Sequence, residues 1–253
     1  MTDDVRNILG IPDGESSAFL NADCMKYLPL FPDNCFDLAI VDPPYGINAN
    51  SFGMGDHLRG RGDSTARKVE RKRRLNKGAG KLKDRALQNM NCDWDFKIPT
   101  PEYFSELRRV SKNQIIWGGN YFDLPPTRGV ICWDKEQPWE NFSQWEMAWT
   151  SFDMPAALFR KNNSFAEPGK IHPTQKPVAL YKWLIGKYAA AGDLILDTHA
   201  GSGSCLIACR ESGHSYVGFE IDKTYYDAAA VRLQAAIDQV NIYDLFEQME
   251  VKV

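Results

Sequence analysis

Two stretches of this sequence set chemistry-bearing residues directly after apolar runs. In "DLAIVDPPYGI", residues 37–47, Leu38 to Val41 read as a buried strand that stops on Asp42, Pro43, Pro44 and Tyr45. Each proline fixes φ and lacks an amide donor, so carbonyls there are held in place as acceptors. Asp42 adds a carboxylate and Tyr45 a flat ring for stacking. Acceptors beside a stacking face suit an exocyclic amino group on a planar base. In "GDLILDTHAGSGS", residues 192–204, Asp197 ends a second apolar run, and Gly201 and Gly203 follow where a helix must start. Glycine lets backbone and ligand approach closely, and the first helical turn offers free amide donors. A tight strand-to-helix turn explains those glycines if they stand alone, and a strand-ending Pro-Pro turn explains residues 43 and 44. They do not stand alone. Glu220, in "GFEID", ends the next apolar run seventeen residues after Gly203, the placement in which a carboxylate grips ribose hydroxyls. The third glycine of a dinucleotide fingerprint is missing, so a nucleoside with a compact tail fits better than NAD.

These residues need a frame that brings them to one place. "SAFLNADCMKYLPLFPDNCFDLAIVDPPYGI" reads as a strand ending near Asn21, a short helix, and a strand ending at Asp42. "PEYFSELRRVSKNQIIWGGNYF" reads as a helix, a buried strand from Gln114 to Trp117 and a Gly-Gly turn. "RGVICWDKE" and "WEMAWTSF" supply two aromatic and β-branched strands. "KPVALYKWLIGKYAA" has helical spacing, with Pro177 in its first turn. The run ending at Asp197 is a strand, Cys205 to Glu211 a helix, "HSYVGFEID" a strand and Lys223 to Val240 a helix. Strands alternating with helices and apolar on both faces predict an α/β, mostly parallel sheet covered on both sides. In such sheets ligands sit beyond the carboxyl ends of the strands, where Asp42, Asp197 and Glu220 all stand.

The chain of 253 residues is 43% hydrophobic and 25% charged, with a formal net charge of −3, an ordinary globular profile. It has no apolar run of 18 residues and no signal-like N-terminus, so a cytoplasmic protein without a membrane span is expected. The six cysteines show no zinc-type pairing; Cys205 and Cys209 read as buried thiols on one helix, and no metal is expected. Charge is unevenly spread. From Arg59 to Arg85 twelve Lys or Arg face three Asp or Glu, within an insertion spanning about 50–92 that cannot build a core and reads as mobile. Cations packed this densely suit a polyanion. Arg59, Arg61, Arg67, Lys68, Arg71, Lys72, Arg73, Arg74, Lys77, Lys81 and Lys83 are therefore candidate nucleic-acid contacts.

With these motifs in hand, the chain resembles the DNA amino-methyltransferases, which move a methyl group from S-adenosylmethionine to adenine N6 or cytosine N4. "DPPY" resembles their catalytic motif and "DTHAGSGS" their cofactor turn. "HPTQKPVAL", residues 172–180, resembles the segment that closes over the methionine end of the cofactor. The catalytic motif precedes the cofactor turn, as in the β group, and the similarity covers nearly all of the chain except the basic insertion. The family's usual "DPF-x-GSG" is here Asp197, Thr198, His199, Ala200, Gly201, Ser202, Gly203. The resemblance implies a single methyltransferase domain over 1–253 with a Rossmann-like, circularly permuted, mostly parallel seven-stranded sheet carrying one antiparallel strand.

The same resemblance implies roles. Asp42 accepts one hydrogen of the target amine and the Pro43 carbonyl the other, while Pro44 keeps the turn rigid and Tyr45 stacks on a base extruded from the duplex. The two acceptors steer the amine lone pair at the sulfonium methyl. Glu220, with Ile221 beside it, holds the cofactor ribose. Asp23, with Cys24 next to it, accepts from the cofactor's adenine amino group, and Asp23 also suits a helix cap. Thr174 and Lys176 are candidates for the methionine carboxylate, and His172 fixes their loop. Asp42, Asp197, Ala200, Gly201, Ser202 and Gly203 line the same cofactor site. S-adenosylhomocysteine is the expected product.

Only about 153–170 is left for a target-recognition segment, too little for its own core. That predicts short or relaxed DNA recognition with salt-dependent binding. The four tryptophans 133, 139, 145 and 149 are expected to pack against the sheet, with pocket lining as the other option. Adenine N6 is the expected target, because the family tends to place Asp first for adenine and Ser first for cytosine. Cytosine N4 is the nearest alternative. RNA bases, glutamine side chains and a catalytically silent nucleic-acid-binding relative are the others. A homodimer is expected, and a role in restriction-modification or in a phage is an open expectation.

Overall fold

The computed structural model describes residues 1–47, 98–137, 143–162, 170–172 and 174–250, with the backbone alone from 240 onward. The chain divides into two compact units, residues 1–43 with 99–253, and residues 44–98. The basic insertion at 50–92 and all its candidate contacts lie outside the described residues, as does Trp139. In the second unit only Pro44–Ile47 and Ile98 are described, and none of them lies in a helix or strand.

The first unit is one sheet flanked by helices. Its strands are β1 (Ala18–Asn21), β2 (Phe36–Val41), β3 (Ser111–Trp117), β4 (Val130–Asp134), β5 (Trp145–Thr150), β6 (Ala157–Arg160), β7 (Leu194–Asp197) and β8 (Ser215–Glu220). Its helices are α1 (Asp3–Leu9), α2 (Pro101–Val110), α3 (Val178–Tyr188), α4 (Ser204–Glu211) and α5 (Lys223–Glu250). The order across the sheet is β1-β8-β7-β2-β3-β5-β4-β6. Among the described strands only β5 runs against its neighbours, β3 and β4.

The expected sheet of seven strands is corrected to eight among the described residues. The additional strand, β6, falls in the stretch 153–170 that reads as irregular and as a minimal recognition segment. It pairs in parallel with β4, from Ala157 with Ile131 to Arg160 with Asp134. Only one side of an edge strand needs a partner, so four residues of alternating, half-exposed character suffice. Two further differences are local. The short helix expected after Asn21 is a pair of 3-10 turns, Cys24–Lys26 and Leu28–Leu30, because Pro29 denies the second turn an amide. Helix α1 has a Thr2 cap and Gly10 at φ +65° beyond its end, but its seven residues are too few for a clear apolar period.

The near-continuous apolar run of β2 is explained by burial on both faces. Leu38 and Ile40 pack with the core under α3 and α4. Ala39 and Val41 pack with the core under α1 and α2. Its one acid, Asp37, accepts from Leu194 N at 2.8 Å and from Lys112 Nζ at 2.6 Å, tying the entry of β2 to both neighbours. From this centre the crossovers diverge: β2–α2–β3 runs one way and β7–α4–β8 the other. The junction of β7 and β2 is therefore the switch point, beyond whose carboxyl ends such sheets bind ligands. No described helix is long and apolar enough to cross a membrane.

Candidate active site

Parallel pairing sets the carboxyl ends of five strands along one edge. Register pairs Asn21 with Glu220, Asp197 with Gly218, and Val41 with Ile116. Asp23, Glu220, Asp197, Asp42 and Trp117 thus end or follow adjacent strands, although nearly two hundred residues separate the first from Glu220.

At β7 the chain turns sharply. His199 N donates to Asp197 Oδ1 at 3.1 Å, Ala200 N to Phe219 O at 2.8 Å, and Gly203 N to Ala200 O at 2.8 Å. Gly201 and Gly203 hold φ of +52° and +72°, a left-handed conformation that costs other residues about 1–2 kcal/mol. Glu220 clasps this turn: its Oε2 accepts from Gly201 N at 2.7 Å and its Oε1 from Asp222 N at 2.9 Å. From α5, Arg232 donates to Ser202 O and to Ser204 Oγ, both at 2.9 Å, and the Ser202 hydroxyl lies 3.0 Å from that of Ser204.

His172, in the "HPTQKP" segment, lies against the turn. The His172 ring is buried, 4.3 Å between centroids from Tyr225, and 3.6 Å from where a Gly201 Cβ would stand. His172 Nδ1 accepts from Thr174 N at 3.4 Å, with Thr174 Oγ1 at 3.1 Å. Burial, reinforced by Lys176 and Lys170, pushes His172 down to about 3, so its imidazole is neutral. Thr174 is exposed.

Lys176 lies at the centre of a charge cluster. Its ammonium reaches Asp42 Oδ2 at 2.5 Å and Glu146 Oε2 at 3.2 Å, and stands 5.1 Å above the Trp117 ring. A candidate for a ligand carboxylate, it meets two carboxylates of the protein. Burial opposes its charge, but Asp42 and Glu146 outweigh burial and raise it. Glu146, on β5, also pairs with Lys135. Burial alone would push Glu146 up; Lys176 and Lys135 overcome that and bring it down to about 2. Sequence reasoning missed Glu146, although an acid inside "WEMAWT" was a visible anomaly.

The acids of this edge repel one another. Burial first, then Asp42 and Glu220, raise Asp197 to about 8. Burial also raises Glu220, with its backbone donors working against the rise. Asp23 caps the 3-10 turn, accepting from Met25 N at 2.9 Å, so its capping role holds. Cys24 is buried and its thiol is pushed up to about 12. Ile221 is 62% exposed beside Glu220. The residues at 198 and 199 form their own chain: Tyr103 and Thr198 hydroxyls are 2.7 Å apart, and Thr198 Oγ1 is 2.9 Å from His199 Nδ1. Burial lowers His199 to about 4, against the pull of Asp23.

Asp42 and Pro43 belong to the first unit, and Pro44 and Tyr45 to the second. Cys205 and Cys209 are buried on α4, as expected. Trp133 and Trp149 are buried in the sheet's packing, whereas Trp145 is 53% exposed. Among the described residues no cluster of His, Cys, Asp and Glu is arranged to hold a metal.

Residues 133–231 match the family model described as DNA methylase (N6_N4_Mtase). The chain is 26% identical over 232 residues to YubD of Escherichia coli (strain K12), which carries a methylase name; the match covers 87% of this chain and 91% of that protein. It is 37% identical over 75 residues to the type II methyltransferase M.HpaI of Haemophilus parainfluenzae, 30% of this chain and 24% of that one. The type II methyltransferase M2.DpnII of Streptococcus pneumoniae is 28% identical over 145 residues, 57% of this chain and half of that one. Among solved structures, the cytosine-N4-specific PvuII DNA methyltransferase superposes with TM-score 0.52 at 12% identity, covering 90% of this chain and 92% of that chain. The M1.HpyAVI–SAM complex gives 0.50 at 18%, covering 85% and 98%. The two structures show a shared fold, and the family and sequence matches support a DNA amino-methyltransferase.

Proposed function

We propose that this protein transfers a methyl group from S-adenosylmethionine to the N6 amino group of adenine in DNA, as a member of the β group in which the DPPY motif precedes the cofactor turn in a circularly permuted chain. The observation that carries the proposal is the meeting of Asp42, Asp197 and Glu220 at neighbouring strand ends around the switch point.

The residues present fit the cofactor. Glu220 uses each oxygen for one backbone donor, and a carboxylate has about four acceptor sites, so two ribose hydroxyls can still be received. Burial raises both Asp197 and Glu220, with Asp42 and Glu220 adding to the rise at Asp197 and Asp222 to that at Glu220, and a ligand carrying positive charge offsets such repulsion. When bound, S-adenosylmethionine supplies an electrophilic methyl on a sulfonium. Glu220 and the turn from Asp197 to Gly203 would hold its nucleoside, with Asp23 at the adenine and the His172–Thr174 segment over the methionine end.

At the other half of the site, Asp42 accepts a hydrogen bond from one N–H of the target amine and the Pro43 carbonyl from the other; once the methyl has arrived, the amine is cationic and releases one proton on the Asp42 side. The lone pair of an aromatic amine is delocalised into its ring; two acceptors localise it and fix its direction, so catalysis is orientation and charge placement. Tyr45 stacks on the extruded base. The basic insertion contacts phosphates without reading sequence, giving relaxed recognition and steep salt dependence.

The test is to incubate purified protein with labelled S-adenosylmethionine and unmethylated DNA, then digest to nucleosides. N6-methyladenine supports the proposal. N4-methylcytosine transfers it to the other amine, and absence of label leaves a silent relative.

A further inference from the structure

The four charged groups Asp42, Lys176, Glu146 and Lys135 form a line from the DPPY motif into the antiparallel half of the sheet. Lys176 and Glu146 are joined at 3.2 Å, Lys176 and Asp42 at 2.5 Å, and Lys135 and Glu146 also pair. The side chain of Lys176 is 2% exposed and that of Lys135 11%. Taking an ammonium out of water is costly unless carboxylates and further hydrogen bonds compensate. Two acids for two cations leave the line neutral. Lys176 has three donors on a flexible stem, and a single partner would leave its ammonium free to swing about Asp42. A second acid on a different strand, with the Trp117 ring beneath, defines one position.

We propose that Glu146 is a positioning residue for methyl transfer: it anchors Lys176, and Lys176 in turn orients the Asp42 carboxylate toward the target amine. The inference rests on the proposed function. It assigns Lys176 to the catalytic acid and not to a ligand carboxylate. Glu146 touches neither reactant. Strand β5 supplies it because an antiparallel strand beside β3 brings its first residues, Trp145 and Glu146, to the edge where β2 and β3 end. A parallel strand would bring its last residues there instead.

The prediction separates turnover from binding. Misplacing a reacting group by about 1 Å costs roughly 100-fold in rate, so Glu146→Gln lowers kcat about 10- to 100-fold. The KM for DNA and the Kd for S-adenosylhomocysteine stay within about twofold, because Glu146 contacts neither. Glu146→Asp, one methylene shorter, recovers part of kcat. A spectroscopic arm is independent of activity: 15N-detected lysine ammonium spectra, with Lys176→Met identifying the signal, report a slowly exchanging ammonium that Glu146→Gln broadens. Should Glu146→Gln alone fold poorly, the pair Glu146→Gln with Lys135→Met removes both charges and is expected to show the same loss in kcat. An active wild type whose folded Glu146→Gln variant, single or paired, keeps full kcat overturns the positioning role. So does a fall confined to KM or to cofactor affinity. A wild type that transfers no methyl group overturns the proposed function itself, whatever the ammonium spectra show.

Discussion

Gly203 and Gly213 have nearly the same backbone, φ +72° and +71°, but different surroundings, and the pair allows one physical cause to be separated from another. A Cβ on Gly213 would meet nothing within 4 Å. Gly213→Ala therefore carries only the left-handed backbone cost, about 1–2 kcal/mol. A Cβ on Gly203 would lie 3.3 Å from Ala229 Cβ and 3.6 Å from Ala229 O, because α5 crosses close to the turn there. Overpacking by one methyl typically costs 1–3 kcal/mol; at 3.3 Å the lower end applies, so Gly203→Ala should lose about 2–3 kcal/mol. The difference of about 1 kcal/mol corresponds to roughly 2–4 °C in Tm for a chain of this size. Thermal unfolding of both variants measures it. Titration with S-adenosylhomocysteine should show weakened binding for Gly203→Ala alone, since Gly213 is remote from the strand ends. A double-mutant cycle with Ala229→Gly isolates the contact, which should appear as a coupling of about 1 kcal/mol over the helix-propensity cost of the glycine. Equal losses at 203 and 213, with no coupling to Ala229, would refute the claim that glycine at 203 is required by the approach of α5.

Asp42→Ala should bind S-adenosylhomocysteine nearly as wild type does yet lose turnover at least 100-fold, read by single-turnover methylation; retained turnover removes Asp42 from the mechanism. Glu220→Gln loses its charge where two backbone amides converge; if it holds the cofactor ribose as proposed, the cofactor Kd should rise about 10- to 100-fold, corresponding to about 1–3 kcal/mol for a charged hydrogen-bonding group; calorimetry checks it. Asp197, raised to about 8, binds its proton more tightly folded than unfolded, so its contribution is present at low pH and is lost as pH rises through about 8. His172 and His199, lowered to about 3 and 4, act oppositely, and their contribution is lost as pH falls below about 6.5. Between pH 6.5 and 8 the carboxyl acts unopposed by them, and stability should fall by up to about 1.4 kcal/mol per pH unit. Asp197→Asn should flatten that slope in urea melts, and an unchanged slope rejects the assignment.

The sequence by itself determined seven of the eight described strands and most helices of the first unit, because apolar period and length are local properties. It determined that Asp42, Asp197 and Glu220 stand at carboxyl ends, because each follows its own run directly. It could not determine β6: four half-exposed residues at an edge carry little periodic signal, and only β4 gives them a partner. The partner of Lys176 was equally out of reach. Its neighbours in "HPTQKP" say nothing of an acid 134 residues earlier or of Glu146 on β5, which runs against its neighbours. Pairings of that kind depend on strand order and direction, which fix the distances between charges that no local window contains.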